Sequence, residues 1–234
     1  MIKIYPADSR YHANHGWLQS NFSFSFADYY DPSNMNFGHL RVLNDDTVAP
    51  SKGFGAHPHQ EMEIVSIVLK GHLAHQDSTG RSEQTTWGGI QRMTAGTGVV
   101  HSEMNPSNSE EVQFLQLWFI PDTRGLTPSY EQTSYDPAQM KNNLLPVVSK
   151  SQKGENIASI HQDLTIYLAE LDANQTIDYS QPEGRKIFVF VLEGEITLND
   201  EHVLAKRDSA RITDTSELKI KASADAKFML IDLV

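Results

Sequence analysis

The chain has 234 residues, with 19 basic and 30 acidic side chains, a net charge of −11 at neutral pH and no cysteine. The lack of cysteine excludes disulfides, cysteine-ligated zinc and thiol catalysis, and without a run of Lys or Arg there is no footprint for nucleic acid or an anionic membrane surface. With 39% hydrophobic residues the composition is that of a folded globular protein, long enough for one large or two small domains.

The first ten residues have no apolar core of signal-peptide length, and the longest apolar runs are strand-length, so the chain is expected to be cytoplasmic. Residues 22–26 alternate apolar and polar with period two. Residues 39–43, 62–69 and 112–120 are β-branched or aromatic runs. Turn-forming residues separate them at 31–34, 44–46, 78–80, 88–89 and 105–108. No long stretch has helical periodicity, so the expected class is all-β, a sandwich or barrel.

Two short pairs stand out among these strands, His57-Pro58-His59 and His101-Ser102-Glu103. Side chains two apart on a strand share a face. Two such strands side by side would aim three imidazoles and a carboxylate at one point, a donor set for a divalent transition ion that leaves coordination positions open. Glu61 and Glu63 would share that face if the strand ran on unbroken, as acceptors for an imidazole N–H or as a solvated face. His12 and His15 read as structural or rim residues. His39, His72, His75, His161 and His202 carry no partner pattern. Trp17, Phe22, Phe24 and Phe26 read as core, or as an aromatic lip able to stack on a flat substrate.

Residues 121–156, with Pro121, Pro128, Pro137 and Pro146, read as a long connection. A short helix is expected near residues 136–140, capped by Asp136 with Pro137 at its first position. Strands then resume at 159–163, 165–171, 186–198, 218–221 and 227–233. An internal repeat is legible: Gly194 follows the same kind of strand as Gly71, 123 residues later. That offset sets Ser180, Pro182 and Lys186 against His57, His59 and Glu63, so the second half is expected to bind no metal.

The segments around the two pairs, Gly55 to Gly71 and Gly98-x-x-His101 followed by Asn105, resemble the two motifs of the cupin superfamily. Gly71 falls one residue late, and Gly96 stands where the second motif usually has proline. Both departures are similar to the pirin branch, as are residues 12–18, 24–32, 41–46, 53–59, 93–103 and 129–132. The length and the closing residues 227–233 resemble the bacterial pirins described as quercetin dioxygenases. The resemblance implies a bicupin of two jelly-roll-like β-barrels. Residues 1–120 would form the metal-binding domain, 121–156 the connection and 157–234 a degenerate cupin, with N-terminal residues able to supply outer strands. It further implies one metal ion, Fe2+ or else Mn, Co, Ni, Cu or Zn, on His57, His59, His101 and Glu103. The implied reaction opens the central ring of a flavonol with O2 and releases carbon monoxide, with Glu103 taking the hydroxyl proton. A non-catalytic metal protein that binds a protein partner, or another cupin enzyme such as a sugar isomerase, uses the same ligands. A monomer is expected.

Overall fold

Alternating apolar and polar side chains, interrupted by Gly, Asn, Asp and Pro, favour short strands over helices. A computed structural model describes residues 1–234 and consists of 22 strands and two short 3-10 turns. The first strands are β1 (Ile2–Tyr5), β2 (Tyr11–Asn14), β3 (Leu18–Phe22), β4 (Leu40–Val48), β5 (Gly53–His59), β6 (Glu63–Lys70), β7 (Leu73–Asp77), β8 (Ser82–Thr85), β9 (Gly89–Thr94), β10 (Val99–Met104), β11 (Val112–Phe119) and β12 (Ser129–Ser134). They are followed by β13 (Leu145–Ser149), β14 (Ala158–Ser159), β15 (Leu164–Leu171), β16 (Thr176–Ser180), β17 (Lys186–Glu193), β18 (Glu195–Leu198), β19 (His202–Ala205), β20 (Ser209–Ile212), β21 (Glu217–Ala222) and β22 (Ala226–Leu233).

The chain forms two compact units. The first comprises residues 11–134 and 154–162, the second residues 1–10, 135–153 and 163–234. In the first unit one sheet has the order β12-β9-β6-β11-β4-β3-β2 and a smaller one β5-β10-β7-β8. In the second unit the corresponding orders are β1-β20-β17-β22-β15-β13 and β16-β21-β18-β19. Strand for strand the second set repeats the first: β6 sits between β9 and β11 as β17 does between β20 and β22, and β10 sits between β5 and β7 as β21 does between β16 and β18. The sheets do not close into continuous barrels; each unit is a cupin-like pair of sheets. The outermost strand β1 comes from the N-terminus and takes beside β20 the place that β12 takes beside β9.

Three segments differ from their sequence reading. Residues 22–26 leave the ladder after Phe22, because Ser23 N–H donates to Leu43 O and Ser25 N–H to Asn34 O, so the backbone bonds close a loop. Residues 44–46 are not a turn but the buried middle of β4. Residues 121–156 contain β12 and β13. β12 is a half-exposed outer strand whose polar surface hides it from a hydrophobicity reading. The expected short helix is the 3-10 turn Pro137–Met140, with the Asp136 carboxylate accepting from Ala138 N–H.

The interiors differ in chemistry. In the second unit Ile187, Val189, Val191, Phe228 and Leu230 pack with Ile196, Leu218 and Ile220 into a continuous apolar core. Ile177 and Tyr179 of β16 turn towards it, whereas Ser180 is exposed, so the constant offset read from the sequence is out of phase on this strand. In the first unit a smaller cluster of Leu18, Val48, Val68, Leu73, Val112 and Phe114 occupies one region of the interior, and polar residues fill another.

Gly71 and Gly194 share one structural duty in the two repeats. Both have positive φ, +76° and +75°, and a Cβ on either would lie 2.8 Å from Glu111 O or 2.4 Å from Asp225 O. Gly194→Ala and Gly71→Ala should each lower stability by on the order of 1–2 kcal/mol from the left-handed backbone alone, with the collision adding to it. Urea unfolding followed by far-UV circular dichroism measures this, and unchanged midpoints would contradict it.

Candidate metal centre

β5 is an edge strand, so Pro58 removes no ladder donor. It pairs antiparallel with β10, with His57 opposite His101 and His59 opposite Val99. The register then slips, and Glu103 lies opposite Phe54. Three residues of β5 thus span two of β10, a bulge that bends the strand and re-aims its side chains. The bulge also places Gly55 O where it accepts from His57 Nδ1 at 2.7 Å, leaving Nε2 of His57 with a free lone pair.

The ring nitrogens of His57, His59 and His101 converge, all within 4.8 Å of one another. His57 Nε2 and His101 Nε2 are 3.1 Å apart, and His59 Nε2 is buried with no hydrogen-bond partner. Burial, together with the neighbouring imidazoles, pushes His101 down to about 3 and His59 to about 4. Both rings are therefore neutral at pH 7, with lone pairs available. Three convergent nitrogens, one of them a buried orphan, fit a divalent transition ion.

Glu103 is buried and belongs to a second such group with His75 and His101, its ligand atoms also within 4.8 Å of one another. Ser66 Oγ and Gln91 Nε2 donate to its Oε1 at 3.2 and 3.0 Å, and Gln116 Nε2 to its Oε2 at 2.9 Å. Two carboxylate oxygens offer about four acceptor directions, so one is left over beside His101.

His75 is the residue missed in the sequence. It is 2% exposed on β7, stacked on Tyr130 at 4.4 Å. Burial raises the Asp77 carboxyl, but hydrogen bonds from His75, Thr79 and the Arg81 N–H outweigh it and hold the group ionised below its usual range. Asp77 thus accepts from His75 Nε2 at 2.7 Å, and His75 Nδ1 accepts in turn from His101 Nδ1 at 3.4 Å and Gln91 at 3.3 Å. This chain fixes the proton of His101 on Nδ1 and keeps Nε2 bare. The group is satisfied by hydrogen bonds, so it orients the site and is not a second ion position. The signal was present as His75-Gln76-Asp77, the same two-residue spacing as the recognised pairs.

Other candidates lie elsewhere. The strand breaks before Glu61, which has φ +54° and accepts from Gly125 N–H. Glu63 is buried and accepts from the His161 and Gln162 N–H groups and from His161 Nδ1. Neither touches the three imidazoles. His12 pairs with Asn21 on the surface, and His39, His72 and His202 are not in the cluster. Gly96 has φ +49°, which proline cannot adopt, and Leu126 O lies 1.9 Å from where its Cβ would be; this explains the absence of the motif proline.

His59 lines a cavity of about 380 Å³ with Pro58, Gln60, Ser78 and Val99. A separate cavity of about 310 Å³ is walled by Trp17, Phe22, Phe26 and Phe54, with His15 and Ser20 also on its lining. None of the three imidazoles lines this second cavity; Trp118, edge-on to both Phe26 and His59, stands between its wall and the cluster.

The family model for pirin matches residues 6–119, and the model for the quercetinase C-terminal cupin domain matches residues 147–233. A quercetin 2,3-dioxygenase of Escherichia coli K12 is 40% identical over 233 residues, covering all of this chain and 99% of that protein. The chain belongs to the pirin family. A putative quercetin 2,3-dioxygenase of Pseudomonas aeruginosa is 37% identical, with both proteins covered completely. The E. coli bacterial pirin YhhW in complex with nickel(II) superposes with a TM-score of 0.94 at 39% identity, covering 100% of this chain and 99% of that one. A pirin fold thus accounts for the whole chain, and a relative of the same architecture takes up a transition ion.

The depressed imidazoles make stability pH-dependent. In the unfolded chain they take up protons near 6.5, in the folded chain only near 4 and 3. Unfolding therefore binds protons between those values, and the metal-free protein should lose stability as pH falls from about 6.5 towards 4. Urea titrations of chelator-treated protein at about pH 7 and pH 5 test the sign, and a flat dependence would contradict it.

Proposed function

We propose that this pirin is a metal-dependent dioxygenase that cleaves flavonols such as quercetin, with His57, His59, His101 and Glu103 as ligands of one divalent transition ion. The observation that carries the reading is the convergence of three imidazole nitrogens, one of them a buried orphan, with an aromatic-walled cavity one Trp118 ring away. The names of the relatives and the nickel(II) complex support it. Iron(II) is the favoured ion from the family resemblance, with nickel and the other first-row ions as alternatives. When bound, such an ion supplies Lewis acidity and redox capacity towards dioxygen.

The residues of the chain supply the rest. The aromatic walls take a flat ring system. The one acceptor direction of Glu103 that its three donors leave free would hold the ion, and a carboxylate released from that position would receive the proton of the flavonol 3-hydroxyl. Ser66, Gln91 and Gln116 keep it aimed throughout. In the overall reaction both oxygen atoms of O2 enter the substrate, the central ring opens and one ring carbon departs as carbon monoxide.

The ligand assignment is tested by His57→Ala/His59→Ala, which should reduce metal content at least about tenfold while circular dichroism stays unchanged. Undiminished metal would sink it. The reaction is tested by measuring quercetin loss and carbon monoxide with iron, manganese, cobalt, nickel and copper in turn. No turnover with any of them would shift the function to a metal-regulated protein-binding module. Metal-loaded Glu103→Gln should bind flavonol yet turn over about 100-fold more slowly or worse, and wild-type turnover would remove Glu103 as base.

A further inference from the structure

The cavity walled by Trp17, Phe22, Phe26 and Phe54 is not wholly apolar. Asn44 and Asp46, two apart on β4, present their side chains on one face of that strand and line it together. Each is only 4% exposed. Asn44 Oδ1 is buried with no hydrogen-bond partner, and Ser20 Oγ donates to Asp46 Oδ1. A buried acceptor without a donor costs about 1–3 kcal/mol, and such an atom in a folded protein calls for a partner from outside the chain, a ligand or water among them. Two polar residues in the middle of a strand, where the local pattern reads as a turn, mark a position at which folding preference has been overridden.

The walls define what the pair can meet. Trp17 stands edge-on to Phe54 at 5.4 Å and Phe22 edge-on to Phe26 at 5.2 Å, so the space between them is bounded by ring faces and edges. A planar aromatic ring suits such walls. Burial, reinforced by the charges of Asp45 and Glu103 and opposed by Ser20, pushes the Asp46 carboxyl up to about 7. Near neutral pH it can thus offer an O–H as well as accept one. An acceptor amide oxygen next to a carboxyl of this kind matches a phenolic hydroxyl, which donates one hydrogen bond and accepts another.

We infer that Asn44 and Asp46 form a hydroxyl-reading pair that selects aromatic rings bearing a phenolic group, bound in the cavity between Trp17, Phe22, Phe26 and Phe54. The inference deepens the flavonol reading above and rests on it for the identity of the whole substrate, but not for the chemistry of the ring. Asn44 Oδ1 accepts from the hydroxyl, and the Asp46 carboxyl donates to its oxygen. The site is adjacent to the metal centre: Asn44 is paired across the ladder with Gln116, which donates to Glu103. A ring seated by the pair therefore has its orientation referred to the base. Sites built to hydrogen-bond a hydroxyl reject analogues lacking it far more strongly than apolar sites discriminate by size.

The test uses the zinc-loaded protein, in which the ion is redox-inert and binding is measured without turnover. Quercetin and 3-hydroxyflavone share the 3-hydroxyl and carbonyl and differ in the hydroxyls on the outer rings. Wild-type protein should bind quercetin about tenfold more tightly or better. Asn44→Leu and Asp46→Leu should each bring the ratio to within about twofold by weakening quercetin alone, and Asp46→Asn, which keeps a donor and an acceptor, should retain most of it. Equal wild-type affinities for the two compounds would overturn the inference whether or not the variants fold, as would an undiminished ratio in both folded Leu variants. A second arm compares 2-naphthol with naphthalene. Preference for 2-naphthol that disappears in the Leu variants, with no flavonol bound, would uphold the pair and remove the flavonol reading. Flavonol turnover with discrimination independent of both residues would do the reverse.

Discussion

The register between β5 and β10 is the constraint on which the rest of the centre depends. Side-chain direction on a strand has period two, so a slip of one residue would turn His57 and His59 to the outside and leave His101 with His75 as its one imidazole neighbour. The hydrophobic pattern does little to pin that register, because β5 carries one apolar side chain of any size, Phe54. What holds it is a set of specific contacts. Gly55 O takes the His57 N–H, and Trp118 braces His59 from one side. Phe54 is locked against Trp17. The bulge lets the imidazole pair and Glu103 approach the same region from strands whose regular pairing would separate them.

The two units show how one scaffold tolerates two interiors. Corresponding strands enclose aliphatic side chains in the second unit and imidazoles, amides and carboxylates in the first. Buried polar groups are costly unless each finds a partner. In the first unit most do: Glu103 receives three donors, Asp77 orders His75, and Glu63 receives the His161 and Gln162 N–H groups. Among the atoms left without a partner, His59 Nε2 lies in the imidazole cluster and Asn44 Oδ1 on the aromatic-walled cavity, while Gln91 Oε1, Arg92 Nε, Trp118 Nε1 and Thr133 Oγ1 are unpartnered elsewhere in the unit. The second unit concentrates apolar burial, the dominant favourable term in folding. Its polar chain Tyr179–Asp232–Arg185–Asp163 lies outside that aliphatic core.

Much of this was legible in the residues. Period-two alternation located most strands, the pairs pointed to His57, His59 and His101, which converge, while Glu103 groups with His75 and His101, and the Gly71/Gly194 spacing marked the repeat. Three features were hidden for physical reasons. His75 lies in a strand with the same spacing as the recognised pairs, but its partner Asp77 reads as the edge of a turn. Asn44, Asp45 and Asp46 have turn propensity that the sheet overrides by enclosing β4 between β3 and β11. The return of residues 154–162 to the first unit depends on Glu131 accepting from Ser159 and Glu63 from His161, contacts nearly 30 and 100 positions apart that no local pattern encodes.

That return path, together with the placement of β1, has a consequence for how the gene can be divided. A cut near residue 120 or 156 separates neither unit intact. One fragment would lose either β12 or the stretch whose amides neutralise buried Glu63, and the other would lack β1 and leave β20 with an open edge. Recombination at those points disrupts two sheets at once. Although the architecture is a doubled one, its halves are interleaved along the chain, and no single cut frees either of them whole.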